Sequence, residues 1–137
     1  MRIQKYQKAV LDSYSLLAYL YMEKGYDIIL DLFEQAIEQQ IKHLISSVNW
    51  AEVSYIVERK SGKNRWADVK KQILALPIEI ISVDQNLAEI AATFKAKGGI
   101  SLADCFAAAL AKQKNLPLIT GDPEFNILKS EISICYI

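Results

Sequence analysis

Short apolar runs of β-type composition alternate along this chain with longer stretches of helical periodicity. That alternation constrains the fold more than any other feature, because it is the pattern of a parallel sheet covered by helices. The runs are Ala9-Val10-Leu11, His43-Leu44-Ile45-Ser46, Ile78-Glu79-Ile80-Ile81, Leu116-Pro117-Leu118-Ile119-Thr120 and Ile132 to Tyr136. Between them, Leu16, Leu17 and Leu20 repeat at helical spacing, and Ile28, Ile29, Leu32, Phe33, Ala36 and Ile37 form one face of a second helix beyond Gly25. Trp50, Val53, Ile56 and Val57 share a face of the next helix. The polar stretch Arg59 to Arg65 reads as a loop, and Trp66 to Leu76 as a further helix ended by Pro77. Asp84 to Lys97 is amphipathic and stops at Gly98-Gly99, Ser101 to Gln113 is an alanine-rich helix, and Pro123 to Leu128 a short one. The expected fold is α/β: a central, mostly parallel sheet of about five short strands with helices on both faces.

At 137 residues the chain reads as one domain over 1–137, long enough to bury roughly two-thirds of the surface its unfolded form exposes. With 52% hydrophobic and 23% charged residues it is neither disordered nor a disulfide-dependent miniprotein. No apolar run approaches the roughly 18 residues that span a bilayer, so no membrane partner is expected. The first residues, Met1 to Lys8, are too polar for a signal-peptide core, and Cys105 and Cys135 have neither disulfide-framework nor CxxC spacing. These features point to a reducing cytoplasm. Sixteen basic residues balance sixteen acidic ones, so net charge gives no argument for a nucleic-acid partner, which must be sought in local patches.

Placed on this map, four carboxylates fall toward one end of the sheet. Asp12 and Asp122 lie just past the carboxyl ends of strands, where open α/β sheets form their ligand crevices. Glu52 and Asp104 are expected in the first turns of helices reaching the same end. Converging acids repel one another unless a cation is bound, and hard ions such as Mg²⁺ or Mn²⁺ prefer oxygen ligands. Taken singly, each acid is more simply a helix cap. Asp12 and Asp122 occupy N-cap positions, the latter followed by Pro123, and Asn49 with Glu52 and Ser101 with Asp104 have capping-box spacing. Capping does not, however, account for all four mapping to one edge.

The stretches Val10-Leu11-Asp12-Ser13, Asn49-Trp50-Ala51-Glu52-Val53, Ser101-Leu102-Ala103-Asp104-Cys105 and Leu118-Ile119-Thr120-Gly121-Asp122-Pro123-Glu124-Phe125 resemble, in order and with suitable spacing, the four acidic motifs of the PIN-domain family, and most closely those of VapC-type toxins. The resemblance implies that Asp12, Glu52, Asp104 and Asp122 are catalytic acids and ligands of Mg²⁺ or Mn²⁺ in an endoribonuclease that hydrolyses RNA phosphodiester bonds to a 5′-phosphate and a 3′-hydroxyl. It implies an auxiliary role for Thr120. It also implies a cognate antitoxin and a homodimer. A PIN-like RNA-processing nuclease without an antitoxin, and a non-catalytic binding module of the same fold, are the alternatives. The polar lead Met1 to Lys8 departs from relatives that begin the first strand almost at once.

Other candidates are weaker. His43 is the lone histidine, which disfavours a metal-free mechanism needing two as acid and base; it reads as structural. Cys105 reads as a small packed residue. Asp12-Ser13-Tyr14 lacks the Asp-x-Asp nucleophile expected of a phosphatase. Tyr14, Tyr19 and Tyr21 could stack bases, but their proximity to Leu16, Leu17 and Leu20 favours packing. Arg59, Lys60, Lys63 and Arg65 around Gly62 form the strongest candidate RNA-binding patch, with a solvated loop as the alternative; Lys95 and Lys97 form a lesser one. The early segments Tyr14 to Tyr21 and Tyr26 to Ile37, including Tyr19, Tyr21, Met22 and Phe33, hold more large apolar groups than one helix face needs, which suggests a dimer interface or an antitoxin groove.

Overall fold

The computed structural model describes residues 7–137, so nearly all of the lead Met1 to Lys8 lies outside the described residues. Five strands form one sheet: β1 (Val10–Leu11), β2 (His43–Ser46), β3 (Ile78–Ile81), β4 (Leu118–Thr120) and β5 (Ile134–Tyr136). Their order is β3-β2-β1-β4-β5, and every pairing is parallel. The expected "mostly parallel" sheet is therefore wholly so. The chain builds outward from β1 through β2 to β3, then returns to the other side of β1 for β4 and β5. The switch point falls between β1 and β4, the place where such sheets open a crevice at the carboxyl ends of their strands.

Seven helical segments cover the sheet: α1 (Ser13–Leu20), α2 (Tyr26–Gln39), α3 (Ser47–Ser61), α4 (Lys63–Leu74), α5 (Gln85–Ala96), α6 (Leu102–Lys114) and a 3-10 turn, η1 (Pro123–Leu128). Side chains of successive strand residues point to opposite faces, so the continuous apolar runs feed two cores. Val10, Leu44, Leu118 and Ile134 pack with Leu87, Ala91 and Phe94 of α5 and with the buried alanines of α6. Ala9, Leu11, Ile45, Ile119 and Cys135 pack with Leu16, Ile29, Phe33, Val53, Val57 and Ile73 on the other side. Full burial of one such large aliphatic or aromatic side chain is worth about 1.5–3 kcal/mol.

The segment Arg59 to Arg65, expected as a loop, is instead an elbow between two helices. α3 runs on to Ser61, Gly62 breaks it at φ 87° and ψ 169°, and α4 starts at Lys63. A residue with a Cβ is strained at that φ, so glycine here acts as hinge rather than as loop filler. His43 is buried as a structural residue. Its Nδ1 accepts from the Ala9 N–H at 3.1 Å and its Nε2 lies 3.3 Å from the Leu32 carbonyl, tying β2 to β1 and α2. Burial pulls its pKa below the ordinary value, and Cys105 is likewise packed in the core.

Candidate metal centre

Four polar residues end strands or begin helices at the switch point. Asp12 follows β1 and caps α1: Oδ1 accepts the Ser15 N–H at 2.8 Å, while Oδ2 accepts the Thr120 hydroxyl from the end of β4. The Thr120 hydroxyl in turn accepts the Asp122 N–H at 3.0 Å, and Asp122 caps η1 through the Glu124 N–H at 2.9 Å. One hydrogen-bonded chain thus runs Asp12, Thr120, Asp122, Glu124 across the junction of β1 and β4. The Ser15 hydroxyl fastens α1 to the same strand through the Ile119 carbonyl at 2.7 Å.

Glu52 and Asp104 arrive from the flanking helices. Glu52 stands in the second turn of α3 rather than the first, because the helix starts at Ser47 with Ser46 as its cap. Ser46 accepts the Asn49 N–H at 3.1 Å, so Asn49 is not the cap that its spacing from Glu52 suggested. The Glu52 carboxylate accepts a hydrogen bond from the Ser13 hydroxyl, the first residue of α1. Asp104 lies in the first turn of α6, where its N–H donates to the Ser101 cap at 3.2 Å. Capping is therefore real for Asp12 and Asp122, falls to Ser101 beside Asp104, and is absent for Glu52.

The carboxylate oxygens of Asp104, Asp122 and Glu124 lie within 4.8 Å of one another. Asp12 and Glu52 are outside that trio but act on it electrostatically. Asp104 is held up at about 6, first by burial and then by the charges of Asp122, Glu52 and Glu124, against a lowering hydrogen bond with Ser101. Asp12, 1% exposed, is raised to about 7 chiefly by desolvation; bonds from Thr120 and Ser15 oppose this and the Asp104 charge adds to it. The trio and the two acids beside it are all carboxylates, with no thiol or imidazole among them, a set suited to a hard divalent ion. A cation there also relieves the repulsion that raises Asp104, so the residues present fit such an ion.

Two participants were missed in the sequence. Glu124 stands two residues after Asp122, a spacing that a short capped turn converts into proximity; the signal was present in Asp122-Pro123-Glu124. Asn49 left no comparable signal. Fully buried, it donates through Nδ2 to the Ala103 carbonyl at 3.1 Å, so the helix bearing Glu52 is tied to the residue preceding Asp104. The basic patch is placed less directly. Arg59 and Lys60 end α3 and Lys63 and Arg65 begin α4. Arg59 follows Glu52 by two helical turns, about 10.5 Å along the axis. Arg59 lies over the Tyr55 ring at 5.0 Å and Lys60 over the Tyr21 ring at 4.3 Å.

Comparison with known proteins agrees with this architecture. The chain superposes on a DNA-bound VapBC complex from Salmonella typhimurium with a TM-score of 0.76 at 19% identity, covering 95% of this chain and 98% of the other. A VapBC complex from Rickettsia felis bound to a promoter fragment gives 0.72 at 19% identity, with coverage of 94% and 98%. A Mycobacterium tuberculosis VapC toxin described as cleaving the sarcin-ricin loop gives 0.66 at 13% identity, with coverage of 88% and 94%. No curated protein sequence matches the chain. The sequence model of the PIN domain matches residues 9–130, from the start of β1 to just past η1, and so takes in every acid described above. With nearly its whole length matched, this chain belongs to the PIN domain family.

Proposed function

We propose that this protein is a metal-dependent endoribonuclease, the toxin of a VapBC-type toxin–antitoxin pair, which hydrolyses RNA phosphodiester bonds. The observation that carries the reading is the packing of Asp104, Asp122 and Glu124 oxygens within 4.8 Å at the switch point of a PIN-type sheet. Asp12, Glu52, Asp104 and Asp122, joined by Glu124, hold the ion, Mg²⁺ or Mn²⁺. When bound, such an ion polarises the phosphate, acidifies water and stabilises charge on the leaving oxygen. The chain's own groups do the positioning. Thr120 keeps the Asp12 carboxylate aligned with Asp122, and Ser13 holds Glu52 toward the cluster. Arg59, Lys60, Lys63 and Arg65 draw the RNA backbone toward the α3–α4 elbow by neutralising phosphates. A small protein antitoxin blocks the site, and two copies of the chain pair as a homodimer. The VapBC assemblies of similar fold from Salmonella and Rickettsia support the antitoxin partner.

The test is Asp104→Asn. Its helix is capped by Ser101, so the substitution removes charge from the cluster without removing the cap. RNA cleavage in Mn²⁺ should fall by at least about a hundredfold, a loss of the size expected when a charge-stabilising group is removed, with melting little changed. Wild-type cleavage by a variant that melts earlier would overturn the assignment.

A further inference from the structure

Tyr14 is an aromatic side chain of α1 that the core does not use. Tyr19 packs edge-on against Phe33 and stacks on Tyr26, and Tyr21 lies beneath Lys60, whereas Tyr14 is 45% exposed. Its ring lies against the backbone of Gly121, so close that a Cβ there would meet the Tyr14 Cε1 at 2.1 Å. Gly121 is the residue before Asp122, so the ring packs on the backbone that leads into the acidic cluster. Its position is fixed from both sides: Ser13 before it is bonded to Glu52, and Ser15 after it is held by Asp12. The ring also forms one wall of a groove of about 230 Å³ completed by Leu17, Ala18, Glu23 and Lys24. An aromatic ring beside aliphatic side chains, with the Lys24 ammonium and the Glu23 carboxylate among the lining groups, matches a nucleobase, whose amino group can donate to a carboxylate and whose neighbouring phosphate an ammonium can meet. Base–aromatic stacking is the usual way a protein holds an unpaired nucleotide.

Resting on the nuclease reading above, we propose that Tyr14 is a stacking platform for one unpaired base next to the scissile phosphate, and that the groove beside it is the subsite for that base. Tyr14 thereby sets which nucleotide flanks the cut and orients the strand over the cluster, while the acids do the chemistry. The occupant is the substrate RNA because the ring that lines the groove also packs on Gly121, the residue before Asp122, and follows Ser13, which is bonded to Glu52.

The probe is an RNA that the wild-type protein cleaves, with its cut mapped, remade with a single abasic nucleotide on either side of the cut. Wild type should lose about tenfold in kcat/KM at one of the two abasic positions, the size of one base–aromatic stack. Tyr14→Ala should lose about tenfold on the intact RNA and be indifferent to the same abasic position, while Tyr14→Trp retains the discrimination. Tyr14→Leu, which fills the groove without an aromatic face and so guards against a folding defect, should behave as Tyr14→Ala does. If the abasic penalty is the same in Tyr14→Ala and Tyr14→Leu as in wild type, the subsite is wrong while the nuclease reading stands. Unchanged cleavage in those variants with lost inhibition by a protein antitoxin would assign the groove to that partner and overturn the proposal. Absence of any RNA cleavage by wild type in Mn²⁺ would instead sink the nuclease reading, and this proposal with it.

Discussion

At the scale of single residues, the consequence of burying carboxylates, and then of crowding them, is a proton balance. The folded-state pKa values of Asp12, about 7, and Asp104, about 6, exceed the ordinary carboxylate value near 3.9. The folded protein therefore binds more protons than the unfolded chain between roughly pH 4 and pH 7. The stabilisation is fully present below the lower value and is lost as pH rises through the upper ones. His43 runs the other way, since burial depresses its pKa, and it offsets part of the effect as pH falls through its ordinary 6.5. In metal-free buffer, stability should thus drop by on the order of 1–2 kcal/mol between pH 6 and pH 8. Mn²⁺ should cancel the drop, because a cation favours the ionised acids. Chemical denaturation at the two pH values with EDTA and then with Mn²⁺ checks this, and a metal-free profile that is flat or rises would contradict it. Glu131, held down at about 2 by Lys112 and Lys97, titrates too low to interfere.

Among the elements, the relation of α3 to α6 decides whether Glu52 and Asp104 face one another. The buried Asn49 amide bridges them, with its Nδ2 on the Ala103 carbonyl. Replacing it by alanine removes that bridge and leaves the buried Ser46 hydroxyl without its acceptor, the Asn49 Oδ1, which costs about 1–3 kcal/mol when such a group is buried. Asn49→Ala should therefore destabilise by that amount and weaken Mn²⁺ binding, read by calorimetry well below the melting transition; Asn49→Asp should not restore it, having lost the Nδ2 donor. Unaltered Mn²⁺ affinity in a destabilised protein would make Asn49 purely structural. The periodicities of α2 and α5 were legible because each buries a single stripe, whereas α6, buried over most of its surface, was legible through its alanine-rich composition. The α3–α4 boundary was not, because a glycine among charged residues reads equally as loop or as hinge. Only the backbone at Gly62 separates the two.

For the molecule as a whole, the surplus of apolar groups on the early helices resolves into two sets. Phe33, at 2% exposed, belongs to the core together with most of Tyr19. It therefore cannot be an interface residue, as its sequence neighbourhood suggested. Met22 at 72% and Ile37 at 63% remain outside, at opposite ends of α2's surroundings. If the proposed homodimer pairs through this region, as the early segments' sequence suggested, Ile37→Glu should give a folded monomer by light scattering, whereas Phe33→Glu should give unfolded protein. An Ile37→Glu protein with the same mass as wild type would remove this surface from the interface. No helix among the described residues is long and apolar enough to cross a membrane.

The order of strands and helices, the parallel sheet and the placing of Asp12, Asp104 and Asp122 at strand ends and a helix start were readable in the chain, because they follow from side-chain period and from local capping chemistry; Glu52 was placed one turn too early. Those rules act over a few residues, and each acid taken alone satisfied the capping rule as well as any other. What tertiary structure decided is which of them meet. The return of the chain to the far side of β1 sets Thr120 beside Asp12 across 108 residues of sequence, with Asp122 joined through Thr120, the short turn η1 brings Glu124 in, and the Gly121 backbone leaves room for the Tyr14 ring. Those contacts depend on strand order and on the space between packed helices, quantities that no local pattern encodes.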